Sequence, residues 1–183
     1  MYSKEFEIPE GIEVKWKDNT IYVKGPLGEI KKEIKSPFLG KMITVEIKDN
    51  KFIVTSSRDK KKYKAMVGTI VAHLRNMVRG VTKGYKYVMK VVSLHFPPNI
   101  KVQGDKVVIT NFLGEKTPRV AQIVGSAKVS IRGDTIEITG INKEDVGQTA
   151  NNIEQATRIT GKDRRIFQDG VYIWEKALPM KEE

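Results

Sequence analysis

The sequence predicts an α+β fold of two tandem duplicated domains, each an antiparallel, mixed-edge β-sheet covered by one main α-helix. Three observations carry that expectation. A long stretch of the chain occurs twice, the hydrophobic period changes from about 2 to about 3.6 once in each copy, and no Gly/Ser-rich spacer separates the copies.

The repeat comes first. In the stretch Val14 to Glu29, Asn19, Ile21, Val23, Leu27, Gly28 and Glu29 match Asp105, Val107, Ile109, Leu113, Gly114 and Glu115 in Ile100 to Glu115, each 86 positions later. A second pair follows, Val45 to Thr55 against Val129 to Thr139, displaced by 84. Two displacements differing by two residues describe parallel copies with one small deletion. The expected boundaries are 1–83 for the first domain, 84–176 for the second and 177–183 for a frayed tail.

In the first copy, Ile12, Val14 and Trp16 alternate with charged residues, as do Ile21 and Val23, with Lys17 to Thr20 as the turn. Gly25-Pro26-Leu27-Gly28 breaks the strand. Ile30 and Ile34, then Ile43, Val45 and Ile47, continue as strands, and Asp49-Asn50 turns the chain back through Phe52 and Val54. The expectation is a single sheet with one wet face. Met66, Ile70, Leu74, Met77 and Val78 then fall on one helical stripe, predicting a helix from about Asp59 to Val78 stopped by Gly80. A strand from Tyr85 should run through Leu94 and Phe96 to Pro97-Pro98. The second copy repeats the order. Asn142 with Asp145 resembles a capping pair, Val146, Ala150, Ile153, Ala156 and Thr160 or Ile159 form the buried stripe, and Gly161 ends the helix. After the basic turn Lys162-Asp163-Arg164-Arg165 and the Asp169-Gly170 turn, Val171 to Glu175 forms the last strand.

The chain has no cysteine, so disulfides and thiolate metal sites are excluded. No run of ~18 apolar residues is present, and the start lacks a secretory apolar core, so a cytoplasmic protein off the membrane is expected. Net charge is +11, which points to a polyanionic partner. Residues 1–90 carry 20 Lys/Arg against 10 Asp/Glu, and residues 91–183 carry 13 against 12. The densest basic run is Arg58, Lys60, Lys61, Lys62 and Lys64, a secondary candidate for contacts or simply a solvated helix start.

Enzyme signals are poor. His73 and His95 have no second ligand at metal spacing, and no phosphate-cradling loop or nucleophile elbow is present. The expectation is a protein without catalysis, metal, cofactor or small-molecule substrate. Binding signals are better. Lys162, Arg164 and Arg165 stand between a helix and a strand carrying Tyr172 and Trp174. A guanidinium fork can bond two phosphate oxygens, and an aromatic ring can stack on an unpaired base. If the turn is merely solvated, Trp174 should be buried behind it.

The segment Gln155 to Lys176 resembles the C-terminal signature of the archaeal and eukaryotic branch of the large-subunit ribosomal protein "L six" family. The match runs through Gln155, Ile159, Lys162, Arg165, Phe167, Asp169 to Ile173 and Lys176, and the Gly-Pro-Leu-Gly-Glu element of the first half fits the same family. The lysine- and glycine-rich tail of the bacterial branch is missing, which favours an archaeal origin. The resemblance implies a structural constituent of the large subunit that binds 23S rRNA near the translation-factor site and sarcin–ricin loop, beside neighbouring ribosomal proteins. It implies rRNA contacts at Lys162, Arg164, Arg165, Gln168, Tyr172 and Arg158. The rival expectation is a free-standing RNA-binding or RNA-chaperone module.

Overall fold

The computed structural model describes residues 1–180 and divides the chain into two compact units, residues 1–82 and 83–183. The end of the expected tail, residues 181–183, lies outside the described residues. In the first unit, β1 (Tyr2–Glu7), β2 (Glu13–Lys17), β3 (Thr20–Gly25), β4 (Gly28–Glu33), β5 (Ile43–Lys48) and β6 (Lys51–Ser56) precede α1 (Lys61–Thr82). The second unit holds β7 (Tyr85–Val92), β8 (Asn99–Gln103), β9 (Lys106–Thr110), a 3-10 turn at Phe112–Gly114 and β10 (Arg119–Gln122). It continues through β11 (Lys128–Arg132), β12 (Thr135–Gly140), α2 (Lys143–Ala156) and β13 (Gly170–Leu178).

Each unit has two sheets rather than the single sheet expected. They are ordered β2-β3-β4 and β1-β6-β5 in the first unit, and β8-β9-β10 and β11-β12-β7-β13 in the second. All pairings between these strands are antiparallel; the mixed edge reduces to an isolated parallel bridge, Leu39 with Ile43. The hairpins are built as the sequence suggests. Asp18 and Asn19 (φ 50° and 57°), and Asp49 and Asn50 (φ 49° and 62°), hold the left-handed pairs that two-residue hairpin loops need. Gly25 opposes Gly28 across the Pro26-Leu27 turn.

The two units share a plan. β5, β6 and β1 stand to one another as β11, β12 and β7 do, so β7 is the second copy's version of β1. Strand β1 escaped the sequence reading because Tyr2 and Phe6 are its sole apolar residues. Strand β13, on the free side of β7, has no counterpart in the first unit.

Helix α1 runs past Gly80, which is buried, because the apolar stripe continues to fully buried Val81. Burying that face outweighs a glycine penalty of about 1 kcal/mol. The helix ends at Thr82 instead, two residues before Gly84, where φ is 73°. Helix α2 stops at Ala156, well before Gly161. The Thr157 hydroxyl bonds back to the Glu154 carbonyl (3.1 Å) and accepts the Val171 N–H (3.0 Å), tying the helix end to β13. Its start is capped by the Asn142 side chain on the Glu144 N–H (3.0 Å). Asp145 does not complete a capping pair; its carboxylate accepts from the Ser126 backbone, and burial, the larger influence, raises its pKa. In the second unit Met89, Ile136, Ile138, Val146, Ala150, Ile153 and Val171 form the core between the four-stranded sheet and α2.

Candidate nucleic-acid interface

The segment between α2 and β13 is a braced turn. Asp163 accepts the backbone N–H of Arg165 (3.0 Å), and its carbonyl accepts the N–H groups of Ile166 (3.1 Å) and Phe167 (2.8 Å). Gln168 Nε2 donates to the Arg165 carbonyl (3.1 Å), and the Tyr172 hydroxyl donates to the Gln168 carbonyl (2.9 Å). Thus two of the expected contact residues, Gln168 and Tyr172, shape the turn that carries the others.

Beneath the turn lies Asp169, 1% exposed. One carboxylate oxygen accepts the Leu94 and His95 N–H groups (2.9 and 3.1 Å), and the other lies 2.6 Å from His95 Nδ1. Burial pushes this carboxyl up, yet the hydrogen bonds from the His95 ring and the two N–H groups hold it below its ordinary value. These bonds explain why β7 ends at Val92, since the N–H groups of Leu94 and His95 go to Asp169 instead of a strand. The His95 ring stacks on Phe167 (4.6 Å, 18°), and Lys162 places its ammonium 4.6 Å from the same Phe167 centroid. Sequence spacing hid this pair because its members are 74 residues apart.

The cations differ in readiness. Arg165 is 90% exposed, but its fork is held by Asp163, with Nε to Oδ1 at 3.1 Å and Nη2 to Oδ2 at 3.0 Å. That bond lowers the Asp163 pKa and raises that of Arg165. Arg164 and Arg158 line an open depression of about 420 Å³ with Phe167 and Tyr172, and Glu154 is its acidic member. Arg119, which the sequence reading passed over, braces the same corner. It binds Glu115 through two bonds (2.9 and 2.6 Å), lies over the Phe112 ring (4.6 Å) and donates to the Ala156 and Arg158 carbonyls (3.1 and 2.9 Å). Hydrogen bonding to Arg119 lowers the Glu115 pKa. A cation at exposed helix C-terminal carbonyls is a stabilising placement.

Trp174 is not behind the turn. It is 64% exposed on β13, with the Lys90 ammonium 4.8 Å from its ring centroid. The secondary cluster belongs to the other unit. There Lys64 pairs with Asp59 (2.6 Å) and faces Tyr2, Lys62 lies over Phe38 and Tyr63, and Lys60, Lys61 and Arg58 are exposed around the start of α1. Divided at the structural boundary, the first unit has 17 Lys/Arg against 10 Asp/Glu and the second 16 against 12. The concentration of charge in the first half therefore weakens, because Lys83, Lys86 and Lys90 belong to the second unit.

Fold and surface together define a duplicated α+β protein that presents cationic and aromatic side chains on braced strands. Among the described residues no group of three or more His, Asp or Glu side chains is placed to hold a metal ion. The profile of the family described as ribosomal protein L6 matches residues 8–84 and 96–170, one match in each unit. The chain is 51% identical over 173 residues to the large ribosomal subunit protein uL6 of Methanobrevibacter smithii, covering 94% of this chain and 95% of that one. It is 50% identical to the uL6 of Methanocella arvoryzae (95% and 97% covered) and 46% identical to that of Methanosarcina mazei (96% and 97%). The chain belongs to the ribosomal protein L6 family, and its similarity to these relatives is of the archaeal type.

Proposed function

We propose that the chain docks on 23S rRNA near the translation-factor site and the sarcin–ricin loop through the turn between α2 and β13. As a member of its family it is a structural, non-enzymatic protein of the large ribosomal subunit in the cytoplasm. In this reading Lys162, Arg158 and Arg164 neutralise phosphates, Arg165 joins them once it leaves Asp163, and Gln168 and Tyr172 hold the turn. Neighbouring large-subunit proteins share its surroundings. The observation that carries the reading is the bracing itself: the cations ride on a turn fixed from below by buried Asp169, so little is lost on ordering it when RNA binds.

The test is binding of a large-subunit rRNA fragment containing the sarcin–ricin region, titrated across salt against an unrelated RNA. Changing Arg164 and Arg165 together to Ala should weaken binding to the fragment while leaving the melting temperature unchanged. The salt slope should flatten by roughly 1.4–1.8 if two phosphates are lost. Full affinity in this variant would refute the placement of the site.

A further inference from the structure

Helix α2 covers one face of the sheet β11-β12-β7-β13 and leaves the other open. The registers define that open face. Tyr172 opposes Lys90, Lys90 opposes Thr135, and Thr135 opposes Arg132; one row along, Val88 opposes Glu137, and at the far end Lys86 opposes Thr139, which opposes Lys128. Alternation sends the residues between, including Met89, Ile136 and Ile138, into the core against α2. The open face therefore carries Lys86, Lys90, Lys128 and Arg132, against Glu137 and the bulged Glu175. Trp174 lies at its margin on β13, with Lys90 against its ring.

We infer that this open face is a second RNA surface, one that receives an unpaired stretch continuing from the segment docked at the turn and stacks a base on Trp174. The inference rests on the rRNA-docking reading and extends it. The side chains supply both parts that unpaired RNA needs: cations for a flexible backbone and an exposed indole, sequence-tolerant because every base has a π-face. An indole 64% exposed on an edge strand stabilises little in the free protein, and the cation beside it disfavours burial against an apolar partner. Tyr172 links the two surfaces, since it lines the depression beside Arg164 and stands opposite Lys90 in the sheet. The four strands span about 14 Å at ~4.8 Å between neighbours, so the face accommodates a short single strand and not a broad interface.

The experiment uses the full chain in a Trp16→Phe background, which leaves Trp174 as the single tryptophan. Its emission is followed while the same rRNA fragment, or a short oligoadenylate, is added. Both should quench it. Trp174→Ala should weaken binding to the fragment by about 5- to 150-fold, and Trp174→Phe should retain most of the affinity because a ring remains. Changing Lys128 and Arg132 together to Ala should flatten the salt slope by roughly 1.4. Unchanged emission with unaltered affinity in Trp174→Ala would overturn the inference; a loss in the Arg164/Arg165 variant under those conditions would leave the turn reading standing. The reverse pattern would support the sheet face and refute the turn. A Trp174→Ala loss that Phe does not rescue, or quenching that appears only when other large-subunit proteins are added, would also overturn it, the latter by naming a protein neighbour.

Discussion

Replacing Asp169 tests how the turn is held. Its carboxylate satisfies two backbone donors and the His95 ring in a site that is 1% exposed. Asp169→Ala leaves the Leu94 and His95 N–H groups and the His95 ring without their acceptor, and each buried donor left unsatisfied costs about 1–3 kcal/mol. Asp169→Asn keeps the volume and one acceptor but turns an NH₂ group toward N–H donors and loses the charge, for about 1.5–3 kcal/mol. In a unit of this size each kcal/mol lowers the melting temperature by about 4–8 °C, so the Asn variant should melt about 6–24 °C lower. Thermal unfolding gives the total, and hydrogen exchange at the Leu94 and His95 amides reads the site itself. The pH dependence has a definite sign. The carboxyl titrates lower in the folded chain than its ordinary 3.8, so its contribution is complete above that value and drains away as pH falls through the folded value. Wild-type stability should fall more steeply than that of Asp169→Asn below about pH 4. A melting shift under about 2 °C with unchanged exchange at both amides would show that the loop is held by something else.

Asp163→Asn should release the Arg165 fork while keeping an acceptor for the Arg165 N–H, raising affinity for the rRNA fragment and steepening the salt slope by roughly 0.7–0.9, read by titration. Arg119→Ala should destabilise the second unit by about 1–2 kcal/mol in urea unfolding, since it removes the partner of Glu115 and uncovers two carbonyls at the end of α2. Gly84→Ala should cost about 1–2 kcal/mol by thermal unfolding, because φ is 73° and a Cβ would lie 2.9 Å from the Met180 methyl. Asn142→Ala should cost about 1 kcal/mol by removing the cap of α2, measured the same way.

Local chemistry was legible in the sequence wherever one segment decides its own shape. The Asp18-Asn19 and Asp49-Asn50 hairpins, the apolar stripes of α1 and α2 and the Asn142 cap all depend on neighbours within a few positions. What escaped depends on partners far along the chain. Strand β1 is defined by pairing with β6 some 50 residues on, and β7 is cut short by a carboxylate more than 70 residues away. The ends of both helices were misread because glycine was given priority over burial: Val81 carries α1 through Gly80, and Thr157 stops α2 before Gly161. At the candidate interface, the sequence placed the cations but not their bonds. That Arg165 is held by Asp163 while Arg164 lines the depression is a fact of side-chain geometry, and spacing alone treats the two as equals.

The duplication shows where the two halves parted. Leu27-Gly28-Glu29 and Leu113-Gly114-Glu115 are the same element, yet Glu29 stands opposite Lys24 in a plain hairpin, whereas Glu115 grips Arg119 against the end of α2. The second unit alone continues beyond its helix into a basic turn and a further strand, β13, which brings Tyr172 and Trp174. Adding a strand to the free side of β7 needs something to fix its register, and Thr157 and Asp169 supply it by binding Val171, Leu94 and His95. The residues that anchor the additional strand are thus the ones that brace the basic turn. A substitution that loosens β13 should weaken RNA binding even without touching a cation, which separates this arrangement from one held by net charge alone.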